Sequence, residues 1–254
     1  MKSRINTLVK VFSDNVAGVH KLIHFDRDVL DMAIKNIQDL SERLKQHHKL
    51  DNPHLSAANV LKSLENIRSN ESLRNRYQII FNQAVVLLVS YFGSVVEDLF
   101  KAGVDVMLER ETDSDLLRED IKLNFRELKD ASWNLREIAA DLLVEKKDLS
   151  FQDMQAISRA FKSYLGVTIK KDTCVNNIIL AQACRHVIVH AGGVTNDRLI
   201  RQVANATPRN LKTSITKGDH IHFSPEELEI LSKNMEMYVQ SLASKIHAIL
   251  EHID

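Results

Sequence analysis

The chain has 254 residues, enough for one large domain or two small ones and for a real hydrophobic core. Hydrophobic residues at 44% and charged residues at 27% exclude whole-chain disorder. The balance of 34 basic against 34 acidic residues excludes a uniformly basic nucleic-acid scaffold but leaves room for local clusters. With 3 Pro and 7 Gly there are too few turn residues for an all-β chain, so composition favours an all-α fold.

The first residues, MKSRINTLVKVFSDN, contain neither an apolar core nor a cleavage site. No uninterrupted apolar run reaches about 18 residues, so neither a signal peptide nor a membrane span is expected, and the expected location is the cytoplasm. Cys174 and Cys184 fit no zinc spacing and are expected to be reduced thiols.

Residues 1–25 are weakly patterned. A helix is predicted from Arg27 to Lys49, with Val29, Ala33, Ile37, Leu40 and Leu44 on one stripe and Asp51-Asn52-Pro53 ending it. A shorter helix follows over Ser56 to Ile67. The Ser69-Asn70-Glu71-Ser72 stretch then divides an N-terminal helical extension, 1–72, from the main body, 73–254.

The body opens with a long helix, Leu73 to Arg110, apolar nearly all round at its centre and therefore expected to lie in the core. Gly93 and Gly103 interrupt it and mark either close packing or a kink. Thr112-Asp113-Ser114-Asp115 supplies a cap for a charged helix running to Leu128, and further helices cover Trp133 to Lys146 and Ser150 to Gly166. A helix from about Asp172 ends in Arg185-His186-Val187-Ile188-Val189-His190 and is stopped by Gly192-Gly193.

A short helix over Thr195 to Ala204 comes next. Residues 211–215 and 220–223 then flank Thr216-Lys217-Gly218-Asp219, a pattern that predicts a small β-hairpin. The last helix starts with Ser224 as N-cap, Pro225 at the first position and Glu227 closing a capping box. Its stripe, from Leu228 through Met235 and Leu242 to Ile253, is near-heptad and calls for a partner within the chain or in another subunit.

The end of the Asp172 helix concentrates the chemistry. An Arg and two His close an otherwise apolar helix, where Arg185 can hold an anion and a His can move a proton. The plainer alternative is an exposed helix end whose dipole favours cations. His186 and His190 are four apart and share a face, whereas Arg185 and His190 lie roughly 140° apart around an ideal helix. The two His could also ligate a metal at helical spacing, but no third ligand stands at a fixed interval. His220 and His222 alternate on the predicted strand, and Glu97-Asp98 follows the apolar helix; both pairs read more simply as surface. Lys170, Lys171, Arg198, Arg201 and Arg209 flank the motif helix and could line an RNA path.

The run RHVIVHAGG resembles the hallmark of the HEPN superfamily: an Arg, a polar residue, three further residues and a His. Arg185, His186 and His190 match it position by position. SYFGSVVEDLF at the end of an early apolar helix, and TKGDHIHFSPEELEIL before a long final helix, are similar to the RiboL-PSP-HEPN-like branch. The resemblance covers roughly residues 73–254.

It implies an all-α bundle and a metal-independent endoribonuclease of toxin or antiviral-defence type, with no cofactor and no metal. It also implies an RNA substrate, a homodimer whose motifs face each other, and an antitoxin or defence partner. Under it, His190 transfers the proton, Arg185 stabilises the phosphate, and His186 orients the scissile group or adds a hydrogen bond. The alternative is a non-catalytic HEPN module that binds nucleotides or RNA, or scaffolds a larger complex.

Overall fold

The computed structural model describes residues 2–47, 57–69, 78–109 and 115–251. Among them the regular structure is helical: α1 (Lys2–His47), α2 (Ala57–Ser69), α3 (Gln78–Leu108), α4 (Phe125–Asp130), α5 (Leu135–Lys146), α6 (Met154–Leu165), α7 (Thr173–His190), α8 (Asp197–Val203) and α9 (Pro225–Glu251). A 3-10 turn, Asp115–Arg118, stands where the charged helix is predicted to begin; the predicted cap at 112–114 lies outside the described residues.

The bundle is organised around α3, which packs against α1, α7 and α9 and also against α5 and α6. Fifteen of its residues are buried, among them Phe92, Leu99 and Phe100 with no exposed surface. By length and composition alone α3 could cross a membrane, but many of its apolar residues lie in the core of the bundle. The two interrupting glycines serve close packing. A Cβ on Gly93 would sit 3.3 Å from the Phe151 carbonyl oxygen, and one on Gly103 only 2.6 Å from Leu165 Cδ1. Phe100 completes that region, with ring centroids 5.2 Å from Phe151 and 5.5 Å from Phe161.

α1 is one continuous helix, including the weakly patterned residues. Ile5, Phe12, Val16, Val19 and Ile23 recur at helical spacing and join the same hydrophobic cluster as α3 and α9. The stripe predicted further along is not the buried one, since Val29 and Leu40 are exposed while Ile34 is buried. The predicted boundary at residues 70–72 lies outside the described residues.

α9 begins as read from the sequence. The Ser224 N–H donates to Glu227 Oε2 at 3.0 Å, and the Glu227 N–H donates to Ser224 Oγ at 3.2 Å. Its stripe, Leu228, Leu231, Met235, Tyr238, Leu242 and Ile246, is buried against α3, α1 and α7 of the same chain.

The predicted β-hairpin is absent. The only β-type pairing among the described residues is an isolated antiparallel bridge between Val194 and His220. The Ile221 N–H donates to the Gly193 carbonyl at 2.8 Å and the Thr195 N–H to the Asp219 carbonyl at 2.9 Å. The 219–221 arm therefore pairs with the chain leaving α7. The 211 end is held by α7 itself, where Asn177 Oδ1 accepts from the Leu211 N–H at 3.3 Å. Backbone groups already engaged elsewhere cannot close a hairpin ladder.

Candidate active site

The site is built on the last turns of α7. Asp172 caps the start of this helix, its carboxylate accepting from the Val175 N–H at 2.9 Å. The middle is buried on nearly every side, and its two asparagines are used structurally. Asn176 Nδ2 donates to the Pro208 carbonyl at 2.8 Å and Asn177 Nδ2 to Asn234 Oδ1 at 2.8 Å. These bonds fix the loop after α8 against α7 and fix α7 in the bundle.

The helix ends at His190, where the Ala191 and Gly193 N–H groups donate to the Val187 carbonyl at 2.8 and 3.1 Å. Gly192 at φ 59° and Gly193 at φ 79° take the left-handed conformations that turn the chain sharply away.

Arg185 and His186 emerge from the core half-buried and line a groove of about 430 Å³. Lys171 and Arg198 line it too, as does Arg159 on α6, which sequence reasoning missed. Among the described residues Asp153 is the one carboxylate on its wall, and that group is engaged as the cap of α6, accepting from the Ala156 N–H at 2.8 Å. The groove is thus locally cationic in a chain of zero net charge.

His190 is exposed just beyond the groove, its ring centroid 4.7 Å from that of His186 at an angle of 48°. His186 therefore bridges the groove to His190. Burial, reinforced by Arg198, His190 and Arg185, holds the His186 pKa below the usual 6.5. Arg185 Nε is buried with no hydrogen-bond partner among the described residues.

The remaining predicted residues fall elsewhere. Lys170 and Arg201 are exposed outside the groove. Arg209 is consumed structurally, its guanidinium donating to the carbonyls of Lys212, Val203 and Ala206. Glu97 pairs with Lys101 at 2.8 Å, and Lys101 also holds Asp141, which places the Glu97-Asp98 pair in a surface network on α3 and α5. His220 and His222 do share a face, with rings stacked at 6.0 Å, but in an extended segment and not in a strand. Asp197, the first acid after the motif, is tied to Lys217 at 2.7 Å.

No group of three or more His, Cys, Asp or Glu side chains placed for a metal occurs among the described residues. Both thiols are free, and burial pushes Cys174 to about 11 and Cys184 to about 12, well away from nucleophilic reactivity.

Comparisons with protein-family models, with curated proteins and with solved structures find no match to this chain. The functional argument therefore rests on the site's own residues.

Proposed function

We propose that the chain is a metal-independent endoribonuclease of the HEPN type, acting through Arg185, His186 and His190. The observation that carries this reading is the cationic groove walled by Arg185 and His186, with the His190 ring 4.7 Å from His186 at its end. RNA supplies its own nucleophile, the 2′-OH beside each phosphate, so the protein has only to move protons and stabilise charge.

In this mechanism O2′ bonds to phosphorus as its proton passes to His190. The P–O5′ bond breaks, and the proton is returned to O5′. Arg185 grips the non-bridging phosphoryl oxygens bidentately. His186, neutral near pH 7 because of its lowered pKa, offers one N–H to orient the phosphate.

The products are a 2′,3′-cyclic phosphate and a 5′-OH. The test is an RNA oligonucleotide with a single 2′-deoxy substitution at the scissile position, assayed with and without EDTA. The all-RNA substrate is expected to be cut in EDTA and the substituted one to resist. Equal cutting of both, or loss of cutting in EDTA, overturns the mechanism.

The second reading, a non-catalytic RNA- or nucleotide-binding module, is favoured by one observation: the groove's lining stops at His186 and leaves His190 outside. Under that reading RNA is bound and never cut. The family resemblance also carries the proposals of a toxin or defence role and of a restraining partner protein.

A further inference from the structure

The floor of the groove contains a polar group that the proposed chemistry does not use. Gln182 sits three residues before Arg185 and four before His186, on the same face of α7. It is only 9% exposed and lines the groove. Its Oε1 accepts the Met154 N–H at 3.0 Å, a bond that fixes the amide orientation, since the flipped amide would set donor against donor. Its Nε2 is therefore a donor of defined position, buried, with no partner among the described residues. A buried unpaired donor is destabilising, and a ligand acceptor would relieve it. Around it the rim carries long, exposed side chains, Gln155, Arg159, Arg198 and Gln202, which can move aside for an entering group.

We infer that this floor is a base-reading subsite, in which Gln182 Nε2 selects a nucleotide carrying an oxo group on its base, uracil or guanine, over one carrying an amino group there. The cationic rim supplies the phosphate contacts. A cavity of about 430 Å³ has room for one nucleotide. Gln182 lies four residues from His186 and eight from His190, roughly 6 and 12 Å along the helix axis. The base is thus held beside the phosphate that Arg185 and His186 contact. Because Oε1 is occupied, Gln182 cannot readily offer the donor–acceptor pair that adenine requires; it presents a donor, which suits O4 of uracil or O6 of guanine and opposes N4 of cytosine. The inference rests on the ribonuclease reading for the position of the cut, but not for binding.

Binding is measured by fluorescence anisotropy of fluorescein-labelled hexauridylate and hexacytidylate with full-length His190→Ala protein, which prevents cutting. These two probes differ in the edge that Gln182 reads. Hexauridylate is expected to bind about tenfold more tightly. Gln182→Glu keeps the acceptor for the Met154 N–H and replaces the donor by an oxygen, so it should erase or reverse that ratio. Arg159→Ala should weaken both probes alike and reduce the salt slope by about 0.7. Equal binding of the two probes by the parent protein, no binding of either, or an unchanged ratio in a folded Gln182→Glu variant overturns the inference. A normal uridine preference in a protein whose wild type cuts no RNA would defeat the ribonuclease reading alone.

Discussion

Burial, Arg198, His190 and Arg185 all disfavour the imidazolium form of His186, so the ring titrates below 6.5 in the folded chain. Of these, Arg198 can be removed from the surface of α8 without touching the core. A His186 titration followed by NMR should give a midpoint below 6.5, and Arg198→Ala should raise it; an unchanged midpoint would remove Arg198 from the site's electrostatics. The sign for stability follows. Between the folded and unfolded pKa values the unfolded chain binds the extra proton, so the His186 contribution is intact above about 6.5 and is lost as pH falls through the folded value. His186→Gln should therefore soften acid destabilisation. Under the proposed mechanism, His190→Ala and Arg185→Ala should each lower cleavage roughly 10²–10⁴-fold with little change in thermal midpoint. His190 is exposed and Arg185 only half-buried, so neither anchors the core. Wild-type cleavage by purified His190→Ala protein would end the proposal. At this scale the sequence made Arg185, His186 and His190 visible, because charged residues closing an apolar helix are conspicuous. Gln182 was equally legible as a polar residue on their face, yet the pairing that leaves its amino group unsatisfied depends on Met154, 28 positions away. Arg159 comes from another helix, and no local spacing announces it.

The helices set the site by how closely they approach, and at Gly103 the α3–α6 contact leaves no room for a side chain. A methyl group on Gly103 would stand 2.6 Å from Leu165 Cδ1, and Leu165 is itself buried. Replacing glycine by alanine in a helix gains up to about 1 kcal/mol of propensity, whereas overpacking costs typically about 1–3 kcal/mol. Gly103→Ala should therefore destabilise the wild type. In a Leu165→Ala background the obstruction is gone, and the same substitution should become neutral or stabilising. Urea unfolding of the four proteins checks this; additive changes would show that the contact is not limiting. Phe100→Ala, which removes the ring between Phe151 and Phe161, should cost about 3–5 kcal/mol by the same measurement. Elements with local signals were the readable ones: Ser224-Pro225 and Glu227 fix the start of α9 through bonds spanning three residues. The hairpin failed for the opposite reason. Its turn residues and alternation are present, but the partner of His220 is Val194, on the far side of α8, and only the tertiary fold puts them together. Residues 1–25 carry a weak sequence signal because Ile5, Phe12, Val16, Val19 and Ile23 are spread thinly among polar residues, although their spacing is helical.

For the whole molecule, the homodimer implied by the family resemblance would need a surface that joins two copies. The near-heptad stripe of α9, which called for a partner within the chain or in another subunit, is spent inside the chain against α1, α3 and α7. A homodimer would then use other apolar surface, and two exposed places bear on the site argument. One is on α1, where Leu22, Phe25, Val29 and Met32 are exposed at intervals of three and four. The other is smaller and lies at the site: Val189, 47% exposed, immediately before His190 at the end of α7. The ribonuclease reading favours the second. His190 stands outside its own groove, and pairing the two α7 ends would enclose both His190 side chains beside two sets of cations. Burying Val189 in that contact gives it the role of an anchor, and an aspartate there would put a desolvated negative charge between two copies and against the incoming phosphate. Val189→Asp should accordingly yield monomers by light scattering at micromolar concentration and abolish cleavage. Phe25→Asp on α1 should leave both assembly and cleavage unchanged. If Phe25→Asp dissociates the protein while Val189→Asp does not, the dimer forms through α1 and each groove must work without a facing motif. A wild-type monomer that cuts RNA at full rate would remove the dimer from the mechanism altogether.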